Sequence, residues 1–565
     1  MALLPSLQIL LIASFVDTAL SVFASKTSYH SIFPPLILFF VILICQNLNR
    51  ALSSFISTKL RMESGNEYRT ALLEKRACLS YFHIENNDSW ELITRVAERA
   101  DNRVNNGFQL LLRMGDMILR TSSILLVLAA QAWWVAVITL VCSVPLYFIA
   151  IRSGQRTYKA SQEAQKHKRR ADYLMEVLTG REAAEERALF GFSSYLSSKW
   201  YERYEDARII TAKSEARRFV QMKGAGLIIT MFSVLIAGIL LQPLAAGTIT
   251  IGMYIGLVTA TTNLVQMMSW ELGNVTSQLA AQREYLRDLT AFCSLEATDG
   301  ALDAPRNQSD VIIETIEFEN VSFRYPETEK YILKNLTLKL RKGQHYAFAG
   351  KNGAGKTTLI KLLTGLYKEF DGKIMINSKS IQEYTSSELK AMFSVIHQDF
   401  AKYQVTLYEN LWLGDICGAD DAAINAALEA VNLDDVKEAL PLGINTPIGK
   451  IFPDGHELSG GQWQRVAIAR ALTGHMRGNS RMLILDEPTA ALDPIAESRL
   501  YEMFADASHE QSAIFITHRL GAVHNADEII VIDDGAVAEQ GSHDELMEKG
   551  GLYSEMFEAQ RSWYL

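Results

Sequence analysis

Long apolar runs are concentrated in the first half of the chain. Six of them reach or approach the roughly 20 residues that a helix needs to cross a bilayer. They cover Ala2–Phe23, Ile32–Ile56, Met117–Ala130, Trp133–Ile151, Lys223–Leu241 and Ile249–Trp270. No Lys or Arg precedes the first run, so a retained helical hairpin fits it better than a cleaved signal peptide. The pattern predicts six transmembrane helices.

Basic residues are concentrated in two long segments between these runs, Lys59–Arg113 and Arg152–Lys223. The opposite loops, near residues 24–31, 131–133 and 242–248, are short and carry only Lys26. By the positive-inside rule, the long segments and both termini are cytoplasmic. Because apolar and charged residues are interleaved in both segments, we interpret them as helical extensions of the membrane helices. Disordered basic loops are the alternative.

The second half of the chain has a different pattern. Residues 294–310 show no apolar period and are typical of a linker. From residue 311 onward, strand-like alternation begins, as in Ile316–Val321, and strand-like and helix-like stretches then follow each other to the C-terminus. This predicts an α/β domain over residues 311–565, preceded by a transmembrane domain over residues 1–293.

Residues Gly350–Thr358, here called the phosphate loop, fit the pattern G-x-x-x-x-G-K-[ST]. Their glycines allow successive N–H groups to point at a phosphate chain, and the following helix adds positive potential. We expect Lys356 to reach the β- and γ-phosphates and the Thr357 hydroxyl to hold Mg²⁺. A glycine-rich turn with a stray lysine is the alternative. The predicted nucleotide contacts in this loop are Gly350, Asn352, Gly353, Ala354, Gly355, Lys356, Thr357 and Thr358.

Two further apolar strands end in residues with suitable chemistry. Met482–Leu485 leads into Asp486 and Glu487. In a P-loop ATPase, the first carboxylate at such a position holds Mg²⁺ and the next polarises the attacking water. An acidic turn after a buried strand is the alternative. Ala513–Thr517 ends in His518, which is either a core histidine or a group that orients the water beside a γ-phosphate.

A second anion-binding surface is predicted at Leu458–Gln462, here called the signature segment. Its serine and two glycines open a helix, where free N–H groups and a hydroxyl are available. A nucleotide that the phosphate loop already holds does not need a second surface from the same chain. We therefore predict a head-to-tail pair, in which each subunit's signature segment closes over the ATP of the other. Such a pair carries two ATPs at an isologous interface.

In this order, the motifs resemble those of ATP-binding cassette (ABC) exporters over essentially the whole chain. The resemblance includes the phosphate loop, the LSGGQ signature, Leu483–Pro488 and Ala491–Asp493. It implies ATP hydrolysis coupled to transport, with Glu487 and His518 as the catalytic residues. It also implies that Tyr325 stacks on adenine. The remaining implied nucleotide contacts are Gln398, Ser459, Gly460, Gly461, Gln462, Asp486 and Asp493, and the implied Mg²⁺ ligands are Thr357, Gln398 and Asp486.

The resemblance also implies an architecture. Membrane helices and cassette on one chain are similar to an exporter half-transporter, with coupling helices around Leu79–Leu92 and Gly180–Lys199. The expected location is a bacterial plasma membrane, with the cassette in the cytoplasm. Because one chain holds every part of the site, the expected partner is a second copy of the same chain.

The substrate class rests on three short stretches that resemble lanthipeptide and related peptide exporters. They are Leu178–Ala184, Gln398–Gln404 and Phe452–Glu457. This favours export of a peptide or a peptide-derived product. None of the stretches is expected to touch substrate, so a multidrug or lipid exporter is an open alternative. A cassette protein that regulates or senses without pumping is a second one.

Charge and cysteine content exclude other classes of partner and site. A net charge of −9 gives no electrostatic basis for binding nucleic acid. The five cysteines are scattered, which predicts buried thiols and neither a disulfide framework nor a cysteine metal site. Three charges in the membrane part, Asp17, Asp116 and Arg120, should face a cavity or each other, and the last two are spaced for an intrahelical pair.

Overall fold

The computed structural model describes residues 4–24, 28–97, 100–267, 271–305, 312–475, 482–487, 512–517, 523–524 and 526–561. The chain forms two compact units. The first contains residues 1–73 and 91–294, and the second contains residues 74–90 and 295–565. Residues 74–90, which the sequence analysis assigned to the transmembrane domain, therefore fold with the second unit.

Apart from a β-bridge at Leu79, the regular structure in the described residues of the N-terminal half is helical. Its helices are α1 (Leu4–Phe23), α2 (Phe33–Ala77), α3 (Tyr81–Glu85), α4 (Asn87–Ala97), α5 (Ala100–Thr179), α6 (Ala184–Phe190), α7 (Ser193–Ala245), α8 (Ile251–Gln266) and α9 (Leu272–Cys293). The backbone of α5 leaves helical geometry at Ala132, where φ is −153° and ψ is 80°. This break lies where the predicted third and fourth spans meet.

Several of these helices are much longer than a membrane is thick. The 45 residues of α2 and the 53 residues of α7 correspond to about 68 and 80 Å, against roughly 30 Å of hydrocarbon. The charged segments are thus helical continuations of the apolar helices. Among the described residues, three stretches are long and apolar enough to span: Ser6–Phe23, Tyr29–Ala77 and Ser193–Ala245. The predicted count of six is not confirmed and stays a prediction.

Asp17 has a different role from the one that the sequence suggested. Its carboxylate accepts hydrogen bonds from the backbone N–H of Gly252 at 2.7 Å and from the hydroxyl of Thr250 at 2.5 Å. It therefore caps the start of α8, where a negative charge satisfies free N–H groups and the helix dipole. Gly252 permits the close approach, since a Cβ there would lie 2.0 Å from the carbonyl oxygen of Ala13.

Two other expectations, an ion pair in the membrane part and buried cysteines, have different outcomes. Asp116 and Arg120 form the predicted ion pair, with an N–O distance of 2.7 Å. The prediction of buried cysteines is wrong for the four cysteines whose side chains the structure describes, because they lie on helices and loops whose apolar faces are only partly covered within one chain. Cys45, Cys293 and Cys417 are exposed, and Cys78 is partly buried.

The second unit contains two sheets. An antiparallel sheet has the order β2-β1-β4-β5, from β1 (Thr315–Phe323), β2 (Leu333–Arg341), β4 (Asp371–Ile376) and β5 (Lys379–Ser380). The other has the order β10-β9-β3-β8-β7-β6, from β3 (His345–Ala349), β6 (Phe393–Ile396), β7 (Met482–Asp486), β8 (Ala513–Ile516), β9 (Glu528–Asp533) and β10 (Ala536–Gly541). It is parallel except for β10 at its edge.

Helices accompany these strands in the second unit. They are α10 (Lys356–Leu363), α11 (Ser386–Met392), α12 (Leu407–Trp412), α13 (Asp421–Ala430), α14 (Asp434–Ala439), α15 (Gly460–His475), α16 (His543–Lys549) and α17 (Leu552–Arg561). Every residue of β7 and β8 is buried, as expected of parallel strands covered on both faces. Because β3, β8 and β7 are neighbours and parallel, the residues that follow them meet at one edge of the sheet.

Candidate functional site

The phosphate loop leaves the sheet at the end of β3 and leads into α10. Gly350, Gly353 and Gly355 have φ angles of 142°, 80° and 106°, which side chains with a Cβ rarely adopt. At Gly350, space is also limiting, because a Cβ there would lie 2.1 Å from the carbonyl oxygen of Ile532. These glycines turn the chain tightly so that α10 begins at Lys356 with its N-terminal N–H groups free for an anion.

The Lys356 side chain is hydrogen-bonded within the phosphate loop. Its ammonium donates to the carbonyl oxygens of Gly350 at 2.8 Å and Lys351 at 3.0 Å. Burial lowers its pKa, although the carboxylates of Asp486 and Glu487 act in the opposite direction. A phosphate chain would supply the negative charge that this buried cation lacks.

Asp486, the last residue of β7, is the best candidate for a cation ligand. Its side chain is buried, and neither carboxylate oxygen has a hydrogen-bond partner among the described residues. Burial raises its pKa to about 6, even though the nearby hydroxyl of Thr357 and the charge of Lys356 lower it. Buried acceptors without a donor fit a divalent cation, and carboxylate and hydroxyl oxygens are ligands that Mg²⁺ prefers.

Glu487 follows directly and has an unusual backbone. Its φ is 50°, in the left-handed region that costs a residue with a Cβ about 1 kcal/mol or more. Its N–H donates to the carbonyl oxygen of Ile516 in β8 at 2.9 Å, and its carboxylate accepts from the amide of Gln398 at 2.9 Å. The strained turn directs the side chain away from the strand, and Gln398 orients it.

Tyr325 lies two residues after β1 and reaches the phosphate-loop helix. Its hydroxyl is 3.0 Å from that of Thr358. Its ring packs edge-on against Phe323 and Tyr367, with centroid distances of 5.2 and 5.5 Å. The structure therefore brings Tyr325 next to the loop, as an adenine-stacking residue requires.

The signature segment forms its own helix start. Ser459 and Gln462 cap each other: the N–H of Ser459 donates to the Gln462 side chain at 2.8 Å, and the N–H of Gln462 donates to the Ser459 hydroxyl at 3.3 Å. Leu458 is buried, whereas Ser459 and Gly460 are exposed. In the described part of the chain, no hydrogen bond joins Ser459, Gly460, Gly461 or Gln462 to the phosphate loop.

The remaining predicted residues are His518 and Asp493, which lie outside the described residues. Three residues beside Tyr325 were not predicted from the sequence. They are Lys361, Tyr367 and Glu85, which contact one another. Lys361 could have been suspected, because it follows Thr357 by one helical turn. Glu85 could not, since it lies 276 residues away from Lys361 in the chain.

The cassette and the whole chain are both similar to known proteins. The family described as ABC transporter matches residues 333–490. The subtilin transport ATP-binding protein of Bacillus subtilis is 29% identical over 518 residues, which are 90% of this chain and 82% of that protein. The nisin transport ATP-binding protein of Lactococcus lactis subsp. lactis is 27% identical over 539 residues, covering 92% of this chain and 86% of that protein.

Two further matches are a lipid flippase and a solved exporter structure. The ATP-dependent lipid A-core flippase of Mannheimia succiniciproducens is 27% identical over 562 residues, covering 95% of this chain and 89% of that protein. The structure of a bacterial Atm1-family ABC exporter with ATP bound aligns with a TM-score of 0.81, at 22% identity, over 99% of this chain and 97% of that one. The two chains therefore share one fold, a helical domain followed by a cassette.

Proposed function

We propose that this chain, which is an ABC exporter with ATPase-driven transport, moves a peptide or peptide-derived product across a membrane. The observation that carries the substrate class is the similarity to the subtilin and nisin transport proteins over about nine tenths of the chain. Three short stretches, Leu178–Ala184, Gln398–Gln404 and Phe452–Glu457, add to it.

A lipid is the second candidate substrate. It is supported by the lipid A-core flippase, whose similarity extends over 95% of this chain. Purified chain in proteoliposomes would separate the two candidates. We expect ATP-dependent accumulation of a lanthipeptide in inside-out vesicles, absent in Glu487→Gln. Flipping of a labelled lipid without peptide accumulation would favour the flippase, and ATP hydrolysis without either would favour a regulatory role.

The residues proposed for ATP hydrolysis follow from the site. Lys356 and the N–H groups of the phosphate loop bind the phosphates. Thr357 and Asp486 would hold Mg²⁺, which would neutralise phosphate charge. Glu487 accepts a proton from the water that attacks the γ-phosphorus, and the bond to ADP breaks as the new P–O bond forms. Gln398 orients Glu487 through the 2.9 Å hydrogen bond.

Exporters with this half-transporter fold generally work as dimers, and we propose a homodimer here. Each signature segment, with Ser459 to Gln462, would close over ATP at the other subunit's phosphate loop. His518 and Asp493 are proposed members of the same site by resemblance. The exposure of Ser459 and Gly460 supports this arrangement, because it leaves the start of α15 accessible to an anion held by another subunit.

The proposed arrangement in the membrane is six spans within residues 1–293, a linker over residues 294–310 and a cytoplasmic cassette over residues 311–565. The bacterial plasma membrane is the proposed location. The basic segments Lys59–Arg113 and Arg152–Lys223 support this orientation. Protease accessibility of the cassette in inside-out vesicles tests it, since a cassette on the opposite side would be protected.

A further inference from the structure

Residues 74–90 are here called the first coupling segment. They are bonded to the residues that directly follow α9. Cys78–Ser80 pairs with Glu296–Thr298 through backbone hydrogen bonds of 2.7 and 3.0 Å around an antiparallel bridge. The side chain of Lys75 adds a bond to the carbonyl oxygen of Leu295 at 2.8 Å. This pairing explains why the segment folds with the second unit.

At the end of α3, the first coupling segment makes an ion pair with the phosphate-loop helix. The ammonium of Lys361 lies 2.5 Å from the carboxylate of Glu85, and the hydroxyl of Tyr367 donates to the other carboxylate oxygen. The Lys361 side chain is only 16% exposed. Burial alone would raise the pKa of Glu85, but these two donors outweigh it and hold the pKa below its usual value.

Lys361 also lies close to two aromatic rings. Its ammonium lies 5.3 Å from the ring centroid of Tyr81 and 5.5 Å from that of Tyr325, within the range of cation–π attraction. Both rings pack edge-on against Tyr367, at 5.8 and 5.5 Å. One cation and one tyrosine therefore contact the first coupling segment and the proposed adenine-stacking residue at the same time.

The same lysine is rigidly connected to the phosphate loop. Lys361 lies one helical turn after Thr357 in α10, and Tyr325 contacts Thr358 at 3.0 Å. A nucleotide at Thr358 or Tyr325 thus changes the surroundings of groups that already touch Lys361. The ion pair then transmits that change to Glu85.

We infer that Lys361 and Glu85 are positioning residues that link ATP binding to the first coupling segment. The inference rests on the proposed function, in which Tyr325 and Thr358 contact ATP. Linkage is reciprocal, so a change at Glu85 must appear in the affinity for ATP, although Glu85 itself touches no nucleotide.

The test uses the full chain in lipid nanodiscs, with Glu487→Gln added to prevent hydrolysis. Glu85→Gln removes the charge. Glu317→Gln is the matched control, because the Lys339–Glu317 pair has the same 2.5 Å distance but joins strands β1 and β2 instead of two helices. We expect Glu85→Gln to weaken ATP binding about fivefold or more. It should also abolish ATP-dependent protection of residues 78–90 from hydrogen exchange, and Glu317→Gln should change neither.

Rescue separates a charge effect from lost packing. Glu85→Asp keeps the carboxylate, and the flexible lysine can follow it, so this variant should recover most of the ATP affinity and of the exchange protection. The inference is overturned if Glu85→Gln leaves both measurements unchanged, or if Glu85→Asp is as defective as Glu85→Gln.

Failure of the underlying assignment would look different. Tyr325→Ala, in the same background, should weaken ATP binding by removing the stacking surface. If Tyr325→Ala binds ATP normally, the adenine role of Tyr325 is wrong. If Tyr325→Ala is defective and Glu85→Gln is normal, the nucleotide site stands and only the link to the first coupling segment is lost.

Discussion

The phosphate loop and the signature segment are chemically similar, but they differ in what surrounds them. Each places glycines and a hydroxyl at the start of a helix, α10 at Lys356 and α15 at Gly460. The N-terminus of α10 is buried among Lys356, Asp486 and Glu487, whose charges partly compensate one another. The N-terminus of α15 is exposed, and there Ser459 and Gln462 cap each other through two local hydrogen bonds.

This difference bears on whether a single chain can form a complete ATP site. The buried charges beside the phosphate loop compensate one another only in part. Because burial without compensation is costly, a bound phosphate chain with a cation would stabilise them. The exposed signature segment carries no such penalty and gains only when an anion is brought to it. A site shared between two subunits accounts for both observations, and each of the following experiments can contradict that account.

The largest expected effect is at the phosphate-loop side. Glu487→Gln removes the proposed base and keeps the size of the side chain, so ATP hydrolysis should fall by about 10² or more, while ATP still binds. Phosphate release and ATP affinity, measured on the same preparation, check this. Glu317→Gln serves as the control. Hydrolysis within a few-fold of the unmodified chain would remove Glu487 from the mechanism.

Mixed dimers test directly whether each ATP site is shared between two subunits. Lys356→Met damages the phosphate loop, and Gly460→Asp adds a carboxylate where a Cβ meets nothing within 4 Å of its own chain. Each variant alone should be nearly inactive. A purified dimer containing one of each has one intact shared site, so about half of the sites should bind ATP in the closed form. Dimers with no intact site would show that each site is built within one chain.

A smaller effect is expected at Gln398. Gln398→Ala loses the 2.9 Å hydrogen bond to Glu487, which is worth about 1.5 kcal/mol for a charged acceptor, or roughly a tenfold loss in rate. Because Gln398 is proposed to orient the base, kcat should fall more than the KM for ATP rises. A change confined to KM would instead indicate a role in binding nucleotide.

The smallest expected effect is one of stability. Asp486→Asn removes a buried charge whose oxygens have no hydrogen-bond partner among the described residues. Without Mg²⁺, the variant should unfold about 2–6 °C higher, for a relief of about 1–2 kcal/mol. It should also lose the additional stabilisation that Mg²⁺ with ATP gives to the unmodified chain. A lower unfolding temperature without Mg²⁺ would contradict the view of Asp486 as an uncompensated ligand.

Much of the cassette was predictable from local sequence. The alternation in Ile316–Val321 lies within β1, and the apolar stretch Met482–Leu485 lies within β7. The phosphate loop was also predictable, because glycine conformations and helix N-termini are set by a few consecutive residues. The sequence by itself therefore determined which residues could bind a nucleotide and in which order they occur.

Contacts between distant parts of the chain were decided only by tertiary structure. Glu85 and Lys361 are 276 residues apart, and neither has a local pattern that names the other. Asp17 was expected to face a cavity or another charge, yet it caps α8 from 235 residues away. In both cases a charge found its partner through packing of whole elements, because a half-buried charge is stable only where the fold supplies hydrogen-bonding groups, and local sequence does not say which groups those are.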